Sequence, residues 1–296
     1  MIHLKVALDT SLLQRLEGGQ WNALASGWFA LCQLYSLTDL GDPARFFSKD
    51  TKPTPHELLL LQTIASFLTT HLHRSVEHIT AWLPDVSEII VHPLTVILLP
   101  FGRYTFGPKE GLQFFSLDSG AAPLEAYLFL VHVYYHELSC INDTLDGRRY
   151  SQQQLTAEDF QKWIKLLIRN EGIGNYAILP ELITLMEDNP DYQLRYFSYA
   201  RQLGIDAALE AAVRILTYAL GEVNDVNVAQ FVGGINRIFR QERLSILNLV
   251  GVHMAQSIAS RFGTGTLKNV YKREADEFFD LYKRTNARFA EVLGAL

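Results

Sequence analysis

A chain of 296 residues with 48% hydrophobic and 20% charged residues has the make-up of a folded globular protein, with enough chain for one large domain or two interlocked lobes. Its net charge of −6 argues against a nucleic-acid backbone as partner, which needs a concentrated basic surface, and no basic amphipathic helix points to a membrane surface. Two cysteines, Cys32 and Cys140, lie too far apart in sequence for a disulfide framework, so a reducing, cytoplasmic compartment is expected.

The opening stretch MIHLKVALDTSLLQRLEGG lacks the basic start and long apolar run of a signal peptide, and Asp9 falls where the apolar segment would continue. Residues 2–8 alternate like a short strand, and helical patterns follow to about residue 83. The clearest of these is HELLLLQTIASFLTTHLHRSVEHITAWL, opening after the PTP of 53–55. Between 86 and 118 the character changes. LTVILL (94–99) and LQFFSL (112–117) read as strands, separated by turns around FGRYTFGPKEG. From 119 onward nearly everything reads as helix, with breaks near 145–155, 188–191 and 263–265. The expected architecture is α+β and mostly α-helical, with a small sheet before the helix that carries the candidate site. Residues 1–85 form an N-terminal, mostly helical region and 86–296 hold the rest. The most apolar stretch, AYLFLVHVYY (126–135), is too short for a membrane span.

The helix LEAYLFLVHVYYHELSCIND carries the first motif. Pro123 and Asp118 or Ser119 supply start signals. His136 and Cys140 stand at i and i+4, which puts them on one face with Cβ atoms roughly 5–6 Å apart, the spacing that offers two ligands to one metal. Glu137 lies beside the first of them, where it could act as a general base on water. Taken alone, HELSC also fits a helix histidine beside a cysteine packed in the core. His132 and His136 are a second i, i+4 pair, but one that leaves Val133 where the base belongs. A Cys140 thiol nucleophile beside His136 has no visible third residue to orient it.

The next helix, LTAEDFQKWIKLLIRNEGIGNYAIL (155–179), starts with a capping box from Thr156 to Asp159. Glu171 lies three residues beyond Ile168 and seven beyond Ile164, and so extends the apolar face. A carboxylate there is costly unless paired or metal-bound. Gly172 and Gly174 are poor helix formers that let a second backbone come close.

HELSC, followed by Asn170-Glu171-Gly172-Ile173-Gly174-Asn175, resembles the gluzincin metallopeptidases, which carry HExxH on one helix and a glutamate motif on the next. More narrowly, it is similar to the bacterial zinc-dependent peptidases of that clan. The likeness spans roughly 90–180 and, more weakly, 245–275, where Gly251-Val252-His253-Met254 is like the group's C-terminal helix. The resemblance implies a zincin-like fold and a zinc peptidase or amide hydrolase acting on a peptide or protein. It implies His136, Cys140 and Glu171 as zinc ligands, Glu137 as general base and His253 as an oxyanion donor. Asn175 matches an outer acid of some members, here as an amide, and Asp143 is a further candidate for that outer position. LQFFSL falls where such enzymes place the edge strand that holds substrate.

Cys140 departs from the family pattern. Cysteine binds zinc at near 2.3 Å against roughly 2.0–2.1 Å for histidine nitrogen, on a shorter side chain. As a thiolate it also cancels the positive charge that a His-His-Glu set would leave on the metal, so slower hydrolysis is expected. The competing reading from another class is a catalytically inactive gluzincin-like scaffold kept for partner binding. For His253, the bland alternative is a helix histidine at a packing interface beside Gly251.

Overall fold

A computed structural model describes residues 2–18, 24–34, 36, 54–82, 90–99, 106–109, 112–116, 156–188, 205–231, 233–234, 246–270 and 274–296. The chain divides into two compact units, Met1–Glu137 and Leu138–Leu296. Among the described residues helix predominates, beside one four-stranded sheet.

In the first unit, strand β1 (Ile2–Asp9) is followed by helices α1 (Ser11–Glu17), α2 (Leu24–Leu34) and α3 (Pro55–Trp82). Strands β2 (Ile90–Leu99), β3 (Phe106–Lys109) and β4 (Leu112–Ser116) come next. The sheet order is β1-β2-β4-β3. β1 and β2 run parallel from Ile2↔Ile90 to Asp9↔Ile97, β2 and β4 run parallel, and β3 is antiparallel to β4. Val96, Ile97 and Leu98 are all fully buried, which marks β2 as a strand covered on both faces rather than one with alternate residues in water. Pro93 is tolerated in it because it pairs with Lys5 ahead of Thr95, where the ladder to β4 begins. The side of α3 formed by Leu61, Ile64, Ala65 and Leu68 is buried at the i, i+3, i+4, i+7 spacing of an amphipathic helix. The α1 start is held by Asp9 Oδ1, which accepts the Ser11 N–H at 2.9 Å.

Two expectations change here. The division at residue 85 does not follow the sheet, because β1 pairs along its whole length with β2 and belongs with it. LQFFS is an interior strand, not an edge: β4 is paired by β2 along its length on one side and by β3 from Leu112 to Phe114 on the other. Among the described residues the outer strands are β1 and β3, and β3, FGPK, reads as a turn in sequence. Gly107 and Pro108 are poor strand residues in a sheet centre but are accepted at an edge, where a missing N–H costs no ladder bond.

In the second unit, among the described residues, α4 (Ala157–Asp188) is the longest helix and α6 (Ile246–Phe262) packs along it most extensively. α5 (Ile205–Glu222), α7 (Thr264–Val270) and α8 (Ala275–Lys283) pack on α6, and α9 (Ala290–Gly294) docks on α8 and α5. The capping box at the start of α4 is formed in both directions: Asp159 N–H donates to Thr156 Oγ1 at 3.1 Å, and Thr156 N–H to Asp159 Oδ2 at 3.3 Å. Asp225 Oδ1 accepts the Ala157 N–H at 2.7 Å. Thr156→Ala is therefore expected to cost about 1 kcal/mol, read as a lower urea midpoint at unchanged slope. A midpoint equal to the parent's would mean that Asp225 alone caps the helix. Gly263, at φ +84°, ends α6 in the left-handed conformation that glycine adopts without a Cβ clash.

The two principal helices meet at glycines. A Cβ placed on Gly172 would lie 2.4 Å from the Gly251 carbonyl carbon, and one on Gly251 would lie 2.2 Å from the Ile168 carbonyl oxygen. α4 and α6 thus cross backbone to backbone, as Gly172 in the NEG motif leads one to expect. No helix among the described residues is long and apolar enough to cross a membrane.

Candidate metal site

The segment of α4 from Ile168 to Ile178 is unusual in being buried nearly all round. Ile168, Ile173, Ala177 and Ile178 fill the core, yet Arg169, Asn170 and Asn175 are each at most 2% exposed. Buried polar groups cost stability unless satisfied, and a buried guanidinium costs most, so such a cluster in a central helix points to function rather than to packing. Within it, Arg169 Nε donates to Asn170 Oδ1 at 3.0 Å. Arg169 was not singled out in the sequence, and Asn170 only as part of the NEG motif, although the polar run Arg169-Asn170-Glu171 inside an apolar helix was the available signal.

Glu171 is half-buried on this segment. Asn175, one turn on, turns its amide back over it. Its Nδ2 donates to the Glu171 carbonyl at 2.7 Å and lies 3.4 Å from the carboxylate Oε2. The amide thus lies against the carboxylate as a neutral donor, the kind of outer support that metal-binding carboxylates have. The chemistry of the pair fits a zinc ligand: an oxygen donor with an amide against it, set beside the close Gly172–Gly251 crossing. His136, Glu137, Cys140 and Asp143 lie outside the described residues. Among the described residues no three His, Cys, Asp or Glu side chains gather as a metal-binding group.

His253 stands on α6, two residues beyond Gly251. Its Nε2 is 2.8 Å from the Tyr282 hydroxyl and 3.2 Å from the Arg288 carbonyl oxygen, and the Tyr282 hydroxyl donates to that same carbonyl. A phenol has one hydrogen to give. With that hydrogen on Arg288, the His253 Nε2 must carry its own and donate to Tyr282 Oη, sharing the carbonyl. The imidazole meets the Tyr282 ring edge-on, with centroids 5.7 Å apart. Burial pushes the His253 pKa down, the Arg288 carbonyl pulls it up, the Arg288 guanidinium lowers it further and Asp206 raises it. Burial also pushes the Tyr282 phenol up, which keeps it a donor across the physiological range.

No protein-family description, curated protein or solved structure matches the chain.

Proposed function

We propose that the chain is a gluzincin-like zinc peptidase or amide hydrolase whose metal is held by His136, Cys140 and Glu171. The observation that carries this reading is Glu171 itself, a carboxylate in an otherwise core segment of α4 with the Asn175 amide folded over it. It is joined by the HELSC spacing, which offers a nitrogen and a sulfur ligand one helical turn apart with a carboxylate beside them. Zinc held by such a set supplies a Lewis acid that acidifies water and polarises a carbonyl. Glu137 is the general base in this reading: it takes the proton from the attacking water and passes it to the leaving amine. Asn175, whose amide lies 3.4 Å from the Glu171 carboxylate, would help to orient it. His253 has no part in the reaction as proposed, because its Nε2 hydrogen is spent on Tyr282 and Arg288.

A second reading, a gluzincin-like scaffold without catalysis, is favoured by Cys140, which stands where the resemblance has histidine. Elemental analysis of the purified protein beside Cys140→Ser separates the two. About one zinc per chain, lost in the variant, is the result expected of the peptidase. No zinc in either protein, even after zinc is offered, would leave the scaffold.

A further inference from the structure

α5 turns an apolar strip outward into solvent. Ile215 is 45% and Tyr218 65% exposed, one turn apart on the same face. Tyr218 is backed by aromatic packing that runs into the core. Its ring centroid lies 6.5 Å from that of half-buried Phe231, which lies 6.3 Å from that of fully buried Phe160. Just past the helix, Val226 is 94% exposed in a turn tied by side chains: Asn224 Oδ1 accepts the Val226 and Asn227 N–H groups, and Asn227 Oδ1 accepts the Asn224 N–H. Exposed apolar side chains are ordinary when scattered. An aromatic held in place with aliphatic neighbours has instead the make-up of the centre of a protein interface.

The charges beside the strip say what would meet it. Residues 205–226 carry four carboxylates, Asp206, Glu210, Glu222 and Asp225, and one cation, Arg214. That cation is spent: Arg214 pairs with Glu210 at 2.6 Å, and Arg288 reaches the same carboxylate at 2.9 Å. Glu222 stands one turn beyond Tyr218 on the same face, in the last turn of α5, where the helix dipole is already negative and no basic residue offsets it. Among the described residues no cation pairs with Glu222 or Asp225. A second copy of the chain is a poor occupant, because pairing α5 with α5 would press two negative strips together. An arginine fits: its guanidinium can stack on the Tyr218 ring and reach the Glu222 carboxylate, while an aliphatic neighbour covers Ile215. We propose that the Ile215–Tyr218–Glu222 face of α5 is a docking surface for a protein partner that presents arginine beside aliphatic side chains.

Fluorescence anisotropy of a labelled, end-capped hexapeptide of alternating arginine and leucine, titrated with the full chain, tests the surface. Binding is expected, and Tyr218→Ala and Glu222→Lys should each weaken it about tenfold. The same peptide with glutamate in place of arginine should not bind. Asp280→Lys makes the same charge change at an exposed position of α8. It should leave the affinity within about twofold at physiological salt, where exposed charges off the contact are largely screened. No binding to the parent, or unchanged affinity in the two face variants, would overturn the proposal. Equal losses in Asp280→Lys and Glu222→Lys would do the same, since they would mean general attraction to an acidic chain. Sedimentation showing a dimer that Tyr218→Ala dissolves would also overturn it, by making a second copy the occupant.

Discussion

Gly251→Ala is expected to lower the melting temperature by about 6–12 °C. The new methyl would sit 2.2 Å from the Ile168 carbonyl oxygen and 2.6 Å from the Gly172 Cα, all of it backbone. No rotamer change can relieve such a clash, so α4 and α6 must part by about 1 Å, and the contacts along both helices part with them. Overpacking costs about 1–3 kcal/mol where side chains can yield; here the upper end or beyond is expected. For a unit of this size each kcal/mol shifts the melting point by roughly 2–4 °C. Gly221→Ala is the control. It stands near the end of α5 with nothing within 4 Å of its Cβ, and alanine there should leave stability unchanged or raise it slightly, by helix propensity. Calorimetry on the three proteins checks the comparison. A Gly251→Ala protein melting within 2 °C of the parent would mean that the helices cross more loosely than described.

Glu137→Gln is expected to abolish most peptidase activity, by about 10²–10⁴-fold, while leaving the zinc content untouched. The glutamine is nearly isosteric and cannot accept the proton. Asn175→Ala should act in the opposite way: zinc affinity falls about 10–100-fold, because the carboxylate of Glu171 loses its orienting donor, and the turnover of the zinc-loaded protein changes little. Competition with a chromogenic chelator reads the affinity, and a quenched fluorescent peptide library reads the rate. An unchanged rate in Glu137→Gln would end the peptidase reading. Unchanged zinc affinity in Asn175→Ala would remove Glu171 as a ligand but would leave His136 and Cys140 in play.

Much of the fold is legible where a local signal is also a global one. The alternation of residues 2–8 is β1, the PTP before residue 56 opens α3, and Thr156 with Asp159 makes the capping box its spacing implies. Gly172 within the NEG motif marks the close crossing with α6, because only a missing side chain explains a glycine in the middle of an otherwise good helix. What sequence could not supply is pairing. Nothing local says that residues 2–9 lie beside 90–97, so the boundary drawn at 85 cut a sheet in two. Nor does FGPK look like a strand: its propensity is poor, and its place at the edge comes from β4. The nearness of Glu171 and Asn175, one helical turn apart, is legible in the sequence, but the burial of Arg169 is not, because it is set by the helices packed round α4. For His253 a resemblance suggested an oxyanion donor, and the residues that occupy its nitrogen, 29 and 35 positions later, are beyond any local reading.

The parallel pairing of β1 with β2 also orders events during synthesis. A strand made first, at residues 2–9, finds its ladder partner only when residues 90–97 have been made. At roughly 5–20 residues per second the wait is about 5–20 s, during which its backbone donors and acceptors have no strand to meet. Lys5, exposed in the finished sheet, puts a charge in the middle of an otherwise apolar run and so discourages pairing with other nascent chains. The first unit therefore depends on slow, long-range closure, and the second needs a distant pairing of its own, that of α4 with α6. A chain stalled before β2 has left the ribosome would hold out an unpaired β1 suited to chaperone capture, and one stalled after β2 has emerged would not.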